Sequence, residues 1–269
     1  MPVSRREWLR QGSMAALGLG LSLRSLANEE GLARNAPGTE GLINLGSNEN
    51  PYGISPKARE VIKALLGEAN RYQYNVASIR SFKKELADYH KVGEDQVLIT
   101  PGSGEGLGLL ARYFSEGNIV TADPTFGILP NTAGSIGTKV IKVPLTGKKV
   151  HDLPAMLGAI NDKTSLVYIC NPANPTATML TPQDLKDFCR EASKKTTVLI
   201  DEAYIDYLDA PDNESMAALT ADNPRVIVIN TFSKIHAMAG LRIGFTIGHP
   251  TVIRKLADNF YQRSQYACS

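Results

Sequence analysis

The sequence predicts an α/β protein: a mostly parallel seven-stranded sheet with helices on both faces. Three observations predict it. Seven short apolar runs rich in β-branched residues recur along the chain, longer amphipathic stretches separate them, and glycine and polar residues gather just after the runs, where crossovers of a parallel sheet begin. With 269 residues, 43% of them hydrophobic, the chain can bury a sizeable core, and disorder is excluded.

Residues 1–27 stand apart. Ser4-Arg5-Arg6-Glu7-Trp8-Leu9-Arg10 precedes an apolar run over 14–23 and then Ser25-Leu26-Ala27, a small-x-small cleavage pattern. The order of charge, apolar run and cleavage site resembles a twin-arginine export signal and favours it over a frayed basic terminus. It implies the twin-arginine export machinery as a partner and a periplasmic or otherwise exported protein, cytoplasmic if the leader does not function. The run holds Gly18 and Gly20 and falls well short of the roughly 20 apolar residues a span needs, so no permanent membrane anchor is expected.

After a polar segment over 28–40, helices are expected over 55–66, 76–90, 105–114 and 182–192. Ser55-Pro56 and Thr181-Pro182 each supply an N-cap and a proline for the first turn. Strands are expected over 96–100, 118–122, 139–145, 165–170, 197–200, 225–230 and 241–247. No internal repeat or low-complexity tract interrupts them.

Composition narrows the function. The net charge is +2, and four arginines against Glu7 in the first 27 residues leave the remainder at −1, so no basic field argues for nucleic acid. Cys170, Cys189 and Cys268 lack C-x-x-C spacing and read as buried hydrophobes or idle thiols. His90, His151, His236 and His249 lack zinc-hydrolase spacing, and no metal is expected. Ser81-Phe82-Lys83-Lys84 satisfies S-x-x-K without S-D-N or K-T-G and reads as a solvated helix face.

The chemistry sits at the strand exits, because ligands of open α/β sheets bind beyond the carboxyl ends of the strands. Thr100-Pro101-Gly102-Ser103-Gly104-Glu105-Gly106 is a glycine-rich turn entering a helix. It fits neither G-x-x-x-x-G-K-[ST] nor G-x-G-x-x-G, and alone it serves equally for phosphate or for packing. Cys170-Asn171-Pro172-Ala173-Asn174-Pro175-Thr176, Ile200-Asp201-Glu202-Ala203-Tyr204 and Thr231-Phe232-Ser233-Lys234, followed by Gly240-Leu241-Arg242, add an amide, a carboxylate, a phenol, hydroxyls, a lysine and an arginine.

This set, in this order, resembles the fold type I pyridoxal-phosphate enzymes of the class I/II aminotransferase superfamily, nearest in wording to the histidinol-phosphate aminotransferases, over about 42–262. The resemblance implies pyridoxal 5'-phosphate as cofactor, Lys234 as its Schiff-base lysine, Asp201 as partner of the pyridine nitrogen, and Tyr204 and Asn174 on the ring 3-oxygen. It implies Phe126, in Pro124-Thr125-Phe126, stacked on the ring. Gly102, Ser103, Gly104, Thr231, Ser233 and Arg242 would hold the phosphate, and Tyr72 would reach the phosphate of a neighbouring subunit in a homodimer. Asn48-Glu49-Asn50-Pro51-Tyr52-Gly53 resembles the loop that covers the substrate. Domains follow as 1–27 export signal, 28–70 N-terminal arm and substrate-covering loop, and 71–269 cofactor-binding large domain, with the C-terminal small domain and its carboxylate-gripping arginine missing.

The expected activity is transfer of an amino group between an amino acid or histidinol-phosphate-like amine and a 2-oxo acid, with Lys234, Asp201 and Tyr204 catalytic. The alternatives are a decarboxylase of the threonine-phosphate type on the same cofactor, or a truncated chain that binds cofactor without turnover. One departure touches the backbone: Ala177 follows Asn-Pro-Thr where relatives have glycine, which a negative φ would tolerate.

Overall fold

The computed structural model describes residues 46–71 and 76–266. The export-signal reading, most of the N-terminal arm, Tyr72 and Cys268 lie outside the described residues.

Seven strands form one sheet: β1 (Val97–Thr100), β2 (Asn118–Asp123), β3 (Val140–Pro144), β4 (Thr164–Cys170), β5 (Thr197–Asp201), β6 (Val226–Thr231) and β7 (Gly244–Gly248), in the order β1-β7-β6-β5-β4-β2-β3. β3, β2, β4, β5 and β6 pair in parallel, while β7 is antiparallel to both β1 and β6. Two reversals cancel, so the carboxyl ends of all the other strands and the amino end of β7 share one edge. That edge gathers the chemistry.

The helices are α1 (Pro56–Leu65), α2 (Val76–His90), α3 (Ser103–Tyr113), α4 (Ile128–Ser135), α5 (Leu153–Ala159), α6 (Pro182–Ala192), the single turn α7 (Pro211–Glu214) and α8 (Pro250–Tyr266). Ser55 and Thr181 cap as their positions predict, accepting from the amides of Ala58 at 3.3 Å and Asp184 at 3.1 Å. Strand alternation sorts the core onto two faces. Val198, Ile200, Val226 and Val228 pack with Leu86, Met156, Leu185 and Phe188 of α2, α5 and α6; Leu199, Ile227 and Ile229 pack with Leu107, Leu110, Leu129 and Leu256 of α3, α4 and α8. Each fully buried aliphatic side chain contributes about 1.5–3 kcal/mol, which is why both helical layers hold.

The structure departs from expectation in four places. Strand 241–247 begins only at Gly244, because Arg242 is left-handed (φ 56°) and a short 3-10 turn, Ala239–Leu241, precedes it. Helix 105–114 begins at Ser103, with Gly102 as its cap at φ 80° and ψ 160°. Helices α4, α5 and α8, and the single turn α7, appear where none was assigned. In α4, Gly134 opposes helix and Pro130 is tolerated only because it falls in the first turn, so burial of Leu129, Pro130 and Ala133 against the sheet decides the outcome. In α5 the signal was present: Asp152 caps Ala155 at 3.0 Å, with Pro154 in the first turn. Finally, Ala177 has φ 55°, so the negative φ that would tolerate alanine is not met, and alanine occupies a glycine conformation there.

Among the described residues, no helix is long and apolar enough to cross a membrane, and no group of three His, Cys, Asp or Glu could hold a metal ion.

Candidate active site

A cavity of about 370 Å³ opens at the sheet edge, and its walls bring together Ser103, Gly104, Phe126, Asn174, Asp201, Tyr204, Thr231, Ser233, Lys234 and Arg242. These residues come from five strand exits and meet only because the strands are aligned. Gly102 lies just behind the wall, where an added β-carbon would collide with the Arg242 guanidinium. Tyr72 is outside the described residues.

Asp201, the last residue of β5, is 1% exposed. Its Oδ1 accepts the Ala203 amide at 3.1 Å and its Oδ2 accepts the Tyr168 hydroxyl at 2.9 Å. Burial nevertheless raises its pKa from 3.8 to about 6, because the two donors and the nearby Lys234 charge offset only part of the desolvation. A buried carboxylate so poised is stabilised by any cationic group entering the cavity.

Lys234 follows β6 by three residues and is half-buried. Burial lowers the basicity of its amine, opposed by the charges of Glu49 and Asp201. The direction favours an amine that reacts as a nucleophile. Its Nζ donates to the Ser47 carbonyl at 2.7 Å and lies 5.7 Å from the centre of the Tyr204 ring.

The Tyr204 hydroxyl accepts from Asn48 Nδ2 at 2.8 Å and from Asn174 Nδ2 at 3.4 Å, so the phenol and the amide of the sequence pattern converge. Burial raises the Tyr204 pKa, with the Asn48 bond opposing. The segment from Ser47 to Gly53 reaches across this side of the cavity: Asn50 Nδ2 donates to the Ile235 carbonyl at 2.8 Å, and Gly53 turns at φ 74°.

The other end of the cavity is built for an anion. No side chain caps α3, so the amides of its first turn stay available beside the lining residues Ser103 and Gly104. The Thr231 and Ser233 hydroxyls lie 2.9 Å apart, and Arg242 is braced by the Ala239 carbonyl at 3.0 Å. Close approach is enforced by Gly244, whose added β-carbon would meet the Gly102 and Ser103 backbone. A planar group with a phosphate for these donors and a protonated ring nitrogen for the Asp201 carboxylate suits the cavity, with Phe126 on the wall for stacking.

Sequence reasoning missed Tyr168, a strand residue with no motif around it, and Glu202. The latter is 1% exposed and accepts from Ser215 Oγ and the Met216 amide, both at 2.7 Å, so it ties segment 215–216 to the exit of β5. Burial raises its pKa to about 7. Cys170 touches the cavity, but burial and the Asp201 charge push its thiol far up, leaving it unreactive. Ser81 and Lys84 lie on an exposed face of α2, where Lys84 pairs with Asp88 at 2.6 Å.

Comparison with known proteins agrees with this geometry. A histidinol-phosphate aminotransferase of Brevibacillus brevis is 39% identical over 217 residues, 80% of this chain and 59% of that protein. A solved structure from Erwinia carotovora atroseptica, described as a candidate histidinol-phosphate aminotransferase, superposes with TM-score 0.75 at 32% identity, over 84% of this chain and 66% of that one. The Sinorhizobium meliloti histidinol-phosphate aminotransferase, solved with pyridoxal-5'-phosphate, gives TM-score 0.73 at 25% identity, over 79% of this chain and 58% of that one. The chain thus spans about 59% of the length of the curated relative described. The family model for aminotransferase class I and II matches residues 40–265, and the chain belongs to that family.

Proposed function

We propose that the protein is a pyridoxal-phosphate-dependent aminotransferase that moves an amino group between a histidinol-phosphate-like amine or amino acid and a 2-oxo acid. One observation carries this reading: a single cavity holds an amine of lowered basicity on Lys234, a buried carboxylate on Asp201 and an anion pocket at the start of α3. The residues fit the cofactor. Asp201 would hold the proton on its ring nitrogen, Phe126 its ring face, Tyr204 and Asn174 its 3-oxygen, and Ser103, Gly104, Thr231, Ser233 and Arg242 its phosphate. When bound, pyridoxal phosphate supplies an aldehyde that condenses with amines and a ring that draws electrons from the substrate α-carbon.

The protein does the rest. Lys234 Nζ would take the proton from the substrate α-carbon and deliver it to the carbon of the cofactor's former aldehyde, a task for an amine whose pKa is lowered toward working pH. Asp201 would keep the ring-nitrogen proton in place because its own charge is deeply buried and is stabilised by a cation beside it. Asn48 and Asn174 hold the Tyr204 hydroxyl beside the amine. Segment 47–53 lies over the same side and limits water.

We extend the proposal to an exported homodimer. The arginine pair, apolar run and Ala27 cleavage pattern support export, and the family place of Tyr72 supports pairing of subunits.

The test is spectroscopic. Wild-type protein mixed with pyridoxal phosphate should gain a visible absorption band that a suitable amino donor bleaches, and Lys234→Ala should fold yet show no band. A band retained in Lys234→Ala removes the assignment.

A further inference from the structure

Tyr168 lies in the middle of β4 and is completely buried on the sheet face covered by α3 and α4. β4 pairs in parallel with β5, placing Tyr168 beside Leu199 and Cys170 beside Asp201. The Tyr168 side chain therefore rises on the same face as Asp201, and its hydroxyl reaches Oδ2 at 2.9 Å. Packing alone would be served by phenylalanine, which fills the same space without burying a hydroxyl that must find a partner.

We infer that Tyr168 is a positioning residue for the proposed reaction: its hydroxyl holds the Asp201 carboxylate in its charged form and in one orientation toward the cavity. This rests on the cofactor reading above. The Ala203 amide on Oδ1 and the Tyr168 hydroxyl on Oδ2 form two anchors that fix the rotation of the carboxylate. Charge and polarity reach Asp201 from several neighbours: Cys170 and Tyr168 from β4, Glu202 and Tyr204 after it in the chain, and Lys234 across the cavity. Among them Tyr168 supplies a neutral donor with no titration of its own at working pH, because burial and the Asp201 charge keep its proton in place. Deleting the hydroxyl weakens the charged carboxylate without adding or removing a formal charge.

The experiment uses the full chain with Tyr168→Phe and with 3-fluorotyrosine at position 168, a stronger donor of nearly the same shape. The protonation midpoint of Asp201 is read in the cofactor-free protein by infrared difference spectroscopy with ¹³C-labelled aspartate, using Asp201→Asn as the blank. Tyr168→Phe should raise the midpoint by about one pH unit and fluorotyrosine should lower it. The dissociation constant for pyridoxal phosphate, measured by fluorescence, should rise about tenfold in Tyr168→Phe. A residue that merely packs would change the melting temperature and leave the midpoint alone. Unchanged midpoints in both proteins overturn the inference, and fluorotyrosine keeps it testable should Tyr168→Phe not fold. Failure of wild-type protein to bind pyridoxal phosphate would instead remove the cofactor reading, while the Asp201 midpoint still decides whether Tyr168 holds the carboxylate.

Discussion

The guanidinium of Arg242 lies against the α-carbon of Gly102, so closely that an added β-carbon there would overlap Nη2 and come within 2.9 Å of Cζ. Gly102 also needs its positive φ of 80° to start α3 with free amides. The glycine-rich turn after β1 therefore faces donors that are distant in sequence but come from the strands next to it in the sheet, β7 and β6.

Gly102→Ala should displace Arg242, weaken pyridoxal-phosphate binding at least tenfold and lower stability by about 1–2 kcal/mol through the left-handed backbone. Gly244→Ala should be worse, since its β-carbon meets backbone that cannot turn away. Equilibrium binding by fluorescence and urea midpoints check both; wild-type affinity in Gly102→Ala would refute the shared pocket.

Asp201→Asn should stabilise the cofactor-free protein while costing cofactor affinity. The folded pKa of about 6 exceeds the unfolded value of 3.8, so the folded state binds the proton more tightly. Relative to a neutral side chain, the carboxylate therefore destabilises the fold progressively between those values and fully above pH 6. Near neutral pH the gain should be about 2–3 kcal/mol, vanishing below pH 4, as read from urea denaturation across pH.

His151 is buried away from the site, and its Nε2 has no hydrogen-bond partner. Burial lowers its pKa from 6.5 to about 4, so the unfolded chain takes up the proton first and stability falls as pH drops through that interval. His151→Leu should remove up to about 3 kcal/mol of this acid loss. The difference between variant and wild type across pH isolates it from the opposite trends of Asp201 and Glu202; a pH-independent difference would contradict it.

Ala177→Gly should stabilise the loop. Alanine at φ 55° costs about 1–2 kcal/mol, against about 0.5–1 kcal/mol for the freer unfolded glycine, so a net gain of about 0.5–1 kcal/mol is expected in urea midpoints.

By itself the sequence determined the strands, because apolar runs of that length are stable only when buried in a sheet. It also determined α2, α6 and the caps at Ser55 and Thr181, where local hydrogen bonds decide the outcome. It placed an amine, a carboxylate and a glycine-rich turn at strand exits, and the structure gathers them around one cavity. Tertiary structure alone decided that β7 runs backwards between β1 and β6, which carries Arg242 to the edge where the other strands end. It decided α4, whose burial outweighs its poor propensity, and the left-handed backbone of Ala177. It also decided the bond from Tyr168 to Asp201, because a hydroxyl in an apolar strand acquires meaning only from the group that an adjacent strand places against it. Local patterns are set by neighbours in the chain; the electrostatics of this site are set by neighbours in space.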